Sequence, residues 1–444
     1  MSDLDPAAST ASPPSSVRKV IVASLIGTSL EWYDFFIYGT AAALVFNKLF
    51  FPDFEPLVGT LLAFTTYAVG FVARPLGGVI FGHYGDKLGR KNVLVVTLLL
   101  MGIATFAIGV MPTYATIGVW APILLVALRF LQGLGLGGEW GGAVLMTLES
   151  GDPQRRGLNA SWPQVGVPIG LLLANGALSL MGALTTEAEF ESWGWRVPFL
   201  LSGVLVIVGL WIRLTIAESP LFRELEVSDK KVRAPIVDVV RLYPKQVALA
   251  IGARVGVDVA FYTFVLFITT YVVTYLELPS SYALNAVLIA AACQVLLIPW
   301  FGILSDRLGR RPVYLFGAIG AAIWVFVFFA LLDSGSLVLI VLATVVALVF
   351  HAAMYGPQAS FIAEMFPTKV RYSGASMGYQ LAGIVGGALA PIISVALLDR
   401  FDTSLVVSVY VVVTLALTTV CVLAAPETSK IDLKSDPVDE RTGS

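Results

Sequence analysis

Apolar stretches of about twenty residues or more recur along this chain, each bounded by a short polar segment, and they predict helices near 20–46, 57–81, 92–111, 116–148, 157–184, 196–216, 246–276, 281–304, 312–332, 336–364, 372–398 and 403–425. A helix of about 20 residues crosses the roughly 30 Å hydrocarbon layer of a bilayer. Lipid supplies no hydrogen-bond partners, so a span must satisfy its backbone groups internally. The pattern predicts an all-α membrane protein with twelve transmembrane helices. One long polar interruption, 217–245, carries Arg223, Lys230, Lys231, Arg233, Arg241 and Lys245 and reads as a cytoplasmic linker. It separates a six-helix bundle over 18–216 from a second over 246–426. The Ser/Ala/Pro-rich residues 1–17 read as a disordered tail and 427–444 as a polar C-terminal tail. The first apolar stretch is too long for a signal-peptide core and should stay in the membrane.

The two bundles share more than their number of spans. The string G-H-Y-G-D-K-L-G-R-K from Gly82 recurs as G-I-L-S-D-R-L-G-R-R from Gly302. The first Gly, the Asp and the second Gly of each copy are all 220 residues apart, as 302 − 82 shows. E-S-G-D-P-Q-R-R-G (Glu149 to Gly157) is matched by E-M-F-P-T-K-V-R-Y-S-G (Glu364 to Gly374), and A-E-S-P (Ala217 to Pro220) by P-E-T (Pro426 to Thr428). Three matching segments in the same order make the bundles homologous, an organisation used by transporters that rock two bundles about a central site.

Composition agrees and narrows the partners. The chain has 444 residues, 57% hydrophobic and 13% charged, against roughly 25% charged in a soluble domain. A net charge of −2 with dispersed basic residues gives no footprint for nucleic acid. Most Lys and Arg fall in alternate loops, including Lys87, Arg90, Lys91, Arg155, Arg156, Arg307, Arg310, Arg311, Lys369 and Arg371. The positive-inside rule then predicts both termini in the cytoplasm, for a multi-pass protein of the inner (plasma) membrane. Cys293 and Cys421 lie in apolar runs without metal-ligand spacing and read as packing residues. Neither a metal nor a cofactor is expected, and no phosphate loop or nucleophile with a base suggests an enzyme.

The repeated G-x-x-x-D-[KR]-x-G-R-[KR] resembles the signature of the major facilitator superfamily. Within it, E-W-Y-D-F (Glu31 to Phe35), R-P-L-G-G (Arg74 to Gly78), R-F-L-Q-G-L-G-L-G-G-E-W-G-G (Arg129 to Gly142) and S-W-G-W-R-V-P-F (Ser192 to Phe199) are similar to the metabolite:proton symporters, shikimate transporters in particular. The resemblance implies proton-coupled uptake of a small carboxylate or zwitterion such as shikimate, 2-oxoglutarate or betaine by a functional monomer in the bilayer, with the proton as coupling ion.

Charges at mid-membrane carry the candidate chemistry. An acid there costs about 2.5–3.5 kcal/mol on insertion scales, so Glu31 and Asp34, three residues apart on one helical face, should meet a cavity or a partner. Asp34 is the first candidate for the proton carrier; the alternative is a permanent ion pair that only joins helices. Arg129 resembles the arginine that faces a first-helix aspartate in the sugar porters, which makes Asp34 its expected partner. It would exchange between Asp34 and a substrate carboxylate. In the seventh span Arg254 and Asp258 share a face with Tyr262, either as a carboxylate site or as a purely structural pair. Tyr33, Gln132, Gln164, Tyr355 and Tyr379 complete the candidate substrate site, although polar side chains also bond across helices without binding anything. His351 reads as a packing residue. Arg74 and Glu139 read as gate or packing charges. Asp86, Arg90, Glu149 and Arg156, with Asp306, Arg310, Glu364 and Arg371 in the other half, resemble the family's cytoplasmic salt-bridge network, a latch built of exposed pairs worth about 0–1 kcal/mol each. A drug:proton antiporter is the rival reading, with G-V-P-I-G (Gly166 to Gly170) only a partial match to its fifth-span motif. An uncoupled facilitator would need no mid-membrane acids.

Overall fold

The computed structural model describes residues 14–88, 90–137, 144, 147–148, 152–215, 239, 241–367 and 370–431. Within them lie twelve long helices: α1 (Pro14–Ala41), α2 (Pro56–Leu88), α3 (Arg90–Val110), α4 (Trp120–Leu136), α5 (Arg156–Leu184), α6 (Arg196–Thr215), α7 (Pro244–Tyr262), α8 (Ser280–Leu308), α9 (Arg310–Leu332), α10 (Leu337–Glu364), α11 (Arg371–Ala382) and α12 (Ser404–Ala424). Three continue past a π-helical turn: α1 through Ala42–Phe46, α7 through Thr263–Phe267, and α11 through Gly383–Ala388 into Leu389–Phe401. By length and apolar composition nine helices qualify as membrane spans among the described residues, and Val95–Val110 and Trp120–Leu136 are shorter apolar helices. The helices follow the order of the predicted spans, but α1 begins at Pro14, inside the segment read as a disordered tail, and α2 runs on to Leu88 beyond the predicted 81. The predicted end of the fourth span at 148 lies past Leu136, with 138–143 outside the described residues.

α1–α6 and α7–α12 form two bundles, joined chiefly where α5 packs on α8 and α2 on α11. Within the first bundle α2 and α4 approach to backbone contact. A Cβ on Gly133 would lie 2.2 Å from the Gly70 carbonyl oxygen, and one on Gly77 would lie 2.0 Å from that of Leu134. Only glycine permits that separation, as in other helix pairs packed through small residues. The close pair brings Arg74 of α2 and Arg129 of α4 to one region.

The repeated loop string has a clear structural meaning in the second half. Gly309 separates α8 from α9 with φ of 102°, a conformation other residues rarely adopt. The chain therefore reverses at once and places Asp306 and Arg310 side by side. Gly89, its counterpart, and Glu139 and Glu149 lie outside the described residues.

Candidate functional site

Asp34 is buried in α1 and accepts a 2.5 Å hydrogen bond from Ser202 of α6. The expected direct pairing with Arg129 does not form. The Arg129 guanidinium donates from Nη1 to Gln132 at 2.9 Å, Gln132 donates to the Thr105 hydroxyl at 2.7 Å, and Thr105 stands beside the Asp34 carboxylate. A polar relay of two side chains thus separates acid from base. The physical reason is competition for the arginine: its guanidinium stacks on Phe35 and Tyr38, both at 4.3 Å, and on Tyr67 at 4.6 Å. Its Nε and Nη2 have no hydrogen-bond partner. Glu31, one turn before Asp34, is buried and has an interaction of its own.

Arg74, expected as a gate or packing charge, belongs to this cluster and packs against its rings. α2 continues through Leu88, so Arg74 lies well inside the helix. It is buried, with its guanidinium 4.3 Å from the Phe35 ring, 4.5 Å from Phe71 and 5.6 Å from Trp32. Phe71, one turn away on the same helix, was the signal available in the sequence. Ser202 and Thr105, which hold and flank Asp34, carried no such mark; each is a lone hydroxyl in an apolar run.

The second half supplies a contrasting arginine. Arg254 donates from Nε to Asp258 at 2.8 Å and lies 3.0 Å over the ring of Tyr379 from α11, while its Nη1 is unpartnered. The intrahelical pair is therefore formed, which leaves both sequence readings compatible with the geometry. Tyr262 packs edge-on against Tyr67 and Phe71 at 6.3 and 5.8 Å, bringing the halves together at this level. Tyr355 stacks on His351 at 5.1 Å, and His351 Nδ1 is bonded by Gln294 at 2.7 Å, as a packing histidine should be.

One candidate, Tyr33, points elsewhere. The Tyr33 hydroxyl donates to the Pro198 carbonyl at 2.7 Å, tying α1 to α6 within one bundle. Gln164 is buried in α5 between Pro163 and Gly166.

The latch residues converge at the face where α5 begins and α8 ends. Arg310 donates to Asp306 at 2.7 Å and to both oxygens of Glu364 at 3.2 and 3.3 Å; Arg156, from the other half, lies 3.4 Å from Glu364. Asp306 also accepts from the backbone N–H groups of Gly157 at 2.7 Å and Leu158 at 3.0 Å, capping the first turn of α5 across the interface. Arg310 and Glu364 are only 1% exposed, so the expectation of exposed, individually weak pairs is corrected. Burial comes from the chain beyond α12: Glu427 accepts from the backbone N–H of Arg310 and Arg311 at 2.8 and 3.0 Å, and Thr428 donates to Glu364 at 2.6 Å. Burial alone would raise the Glu427 pKa, yet backbone N–H bonds from Arg310, Arg311 and Ser429 hold it below the usual range. Arg371 donates from Nε to the Phe366 carbonyl at 3.2 Å. The side chains of Asp86 and Arg90 lie outside the described set.

Comparison with known proteins decides the family. A family model described as "Major Facilitator Superfamily" matches residues 279–441, and one described as "Sugar (and other) transporter" matches 19–234. The shikimate transporter of Escherichia coli is 43% identical over 390 residues, covering 87% of this chain and 89% of that protein. The chain belongs to the major facilitator superfamily. An inner membrane metabolite transport protein of E. coli is 41% identical, covering 94% of this chain and 96% of its own, and the E. coli proline/betaine transporter is 32% identical, covering 94% and 85%. Among solved structures, the proton:xylose symporter bound to a bromo-deoxyglucose shares the fold with a TM-score of 0.70 at 18% identity, covering 95% of this chain and 98% of that one. This superfamily member is a metabolite transporter, not an enzyme, built on the twelve-helix fold.

Proposed function

We propose that this transporter carries a small carboxylate or zwitterionic metabolite together with a proton, by alternating access between the two bundles. The supporting observation is Arg129, a buried guanidinium with two unpartnered N–H atoms, linked through Gln132 and Thr105 to the Asp34 carboxylate. A guanidinium recognises a carboxylate by paired N–H bonds. When substrate takes the free side of Arg129, charge on the arginine is drawn from the relay and Asp34 is left to hold a proton. Loading of substrate and of proton then favour one another, which is the linkage symport requires. Relatives named for shikimate and for proline/betaine support this substrate range. Each proton moving down 100 mV supplies about 2.3 kcal/mol, enough for tens-fold accumulation of a substrate without net charge; a monoanion carried with one proton crosses electroneutrally and is accumulated by the pH difference alone.

Both termini are assigned to the cytoplasm, where the face joined by Asp306, Arg310 and Glu364 would close the inner mouth of the pathway. The closing experiment is uptake by proteoliposomes of labelled shikimate, 2-oxoglutarate and glycine betaine with and without an imposed proton gradient. Accumulation that requires an inwardly directed gradient is expected. Equilibration indifferent to the gradient would make the protein a facilitator, and efflux driven by proton entry would make it an antiporter.

A further inference from the structure

We propose that Arg74 and Arg129 together bind the carboxylate of a substrate with net negative charge, and that betaine-type zwitterions are rejected. This rests on the transport reading above and narrows its substrate class.

The first ground is an imbalance of partners. Arg254 has Asp258 at 2.8 Å and Arg310 has both Asp306 and Glu364. Among the described residues no carboxylate lies within 4.0 Å of Arg74 or Arg129. Both are at least 96% buried, by their exposures of 4% and 1%. Nε of Arg74 and Nε and Nη2 of Arg129 lack hydrogen-bond partners. A buried cation is costly without an opposing charge and satisfied donors, and here two share one region. Both guanidinium carbons lie 4.3 Å from the centre of the Phe35 ring, so they are within twice that distance of each other. A single organic anion supplies what both lack.

The second ground is the aromatic surface. Recognition of a quaternary ammonium needs the open face of an aromatic ring. In this cluster Phe35, Phe71, Tyr38 and Tyr67 are already faced by the chain's own guanidiniums, and Tyr379 is faced by Arg254. A betaine would meet cations where it needs rings.

The third ground is location. Phe71, beneath Arg74, packs against Tyr262 of α7, and a Cβ on Gly387 of the α11 continuation would come within 2.8 Å of it. An anion held by Arg74 therefore sits at the seam between the bundles, where its presence bears on how they close.

The test uses the full-length protein in proteoliposomes and in detergent. Competition binding is measured with shikimate and 2-oxoglutarate as anions and glycine betaine as zwitterion, for the unaltered protein, Arg74→Gln and Arg74→Lys. Expected are anion binding without betaine binding, a loss of affinity of roughly tenfold or more in Arg74→Gln, and a smaller loss in Arg74→Lys, which keeps the charge without the planar fork. An affinity unchanged in Arg74→Gln, or betaine bound as well as the anions, overturns the inference while leaving proton coupling standing. If Arg74→Gln fails to fold, Arg74→Lys and the competition on unaltered protein decide. Binding of neither class overturns the proposed function and this inference together.

Discussion

Replacing Asp306 by Asn should open the face of the molecule that its carboxylate holds shut. Asp306, at the end of α8, has three partners, and only two matter to the opening. Its bond to Arg310 lies within one half and persists whether or not the halves part. Its bonds to the N–H groups of Gly157 and Leu158 cross the interface and exist only in the closed arrangement. A hydrogen bond to a charged group contributes about 1.5–3 kcal/mol. Asparagine keeps one acceptor oxygen, neutral rather than charged, and turns an NH2 group toward the other N–H. One bond is lost, the other is weakened, and the favourable meeting of an anion with the N-terminus of α5 disappears. The differential loss is about 2–3 kcal/mol, a shift of roughly 30- to 150-fold toward the open arrangement. Ser161 of α5 reports on it, because it is fully buried against Gly302 of α8. With Cys293 and Cys421 replaced and Ser161→Cys introduced, alkylation by N-ethylmaleimide should accelerate by at least about tenfold when Asp306→Asn is added. A rate changed by less than twofold in a protein that still binds substrate would refute the capping argument.

Asp34→Asn should abolish gradient-driven accumulation and retain substrate exchange in counterflow; intact accumulation would remove Asp34 from the proton path. Arg254→Gln leaves Asp258 buried without its partner and should destabilise the protein by about 3–5 kcal/mol, while Arg254→Gln with Asp258→Asn should recover most of that; recovered stability without substrate binding would assign the pair to the binding site. Glu427 has a folded pKa below its unfolded value, so its contribution is full above the ordinary carboxylate pKa of about 4.3 and fades as pH falls through the folded value. Thermal unfolding in detergent should accordingly find Glu427→Gln less stable than the unaltered protein at pH 7, with the gap narrowing below about pH 4. Gly133→Leu forces a side chain against the Gly70 carbonyl and should cost at least about 1–3 kcal/mol, lowering substrate affinity as α2 and α4 separate; an unchanged melting temperature would contradict the close packing.

The helices were legible because a membrane imposes one length and one composition on every span, and the duplication was legible because matching loops are local strings. Charges buried in such a setting are equally conspicuous, and Asp34, Arg129, Arg254 and Asp258 are all buried. Their partners were far less readable. Asp34 and Arg129 attract each other in any sequence-level account, yet rings from α1 and α2 and the side chain of Gln132 hold the arginine away. Aromatic residues are abundant in every span, so beyond a ring one turn away on the same helix, as Phe71 is from Arg74, nothing in the chain marks which of them will face a guanidinium. For Arg74, read as a gate or packing charge, hydropathy likewise gave no sign that a neighbour would be a ring on α1.

The two halves have therefore diverged in a specific way. In α7 the arginine carries its own carboxylate four residues away, and the pair needs nothing from outside. In the first half no carboxylate among the described residues lies within 4.0 Å of the arginines of α2 and α4, which face rings, and Arg129 reaches Asp34 through two side chains. A charge satisfied within its helix stabilises every conformation alike. A charge left without a counter-ion stabilises whichever conformation can bring an anion to it, and an anion arriving with the substrate makes closure depend on cargo. In the proposed cycle the cluster of Asp306, Arg310, Glu364 and Arg156 would act as the latch, and the unequal pairing of the arginines in the two halves would give that latch a reason to wait for substrate.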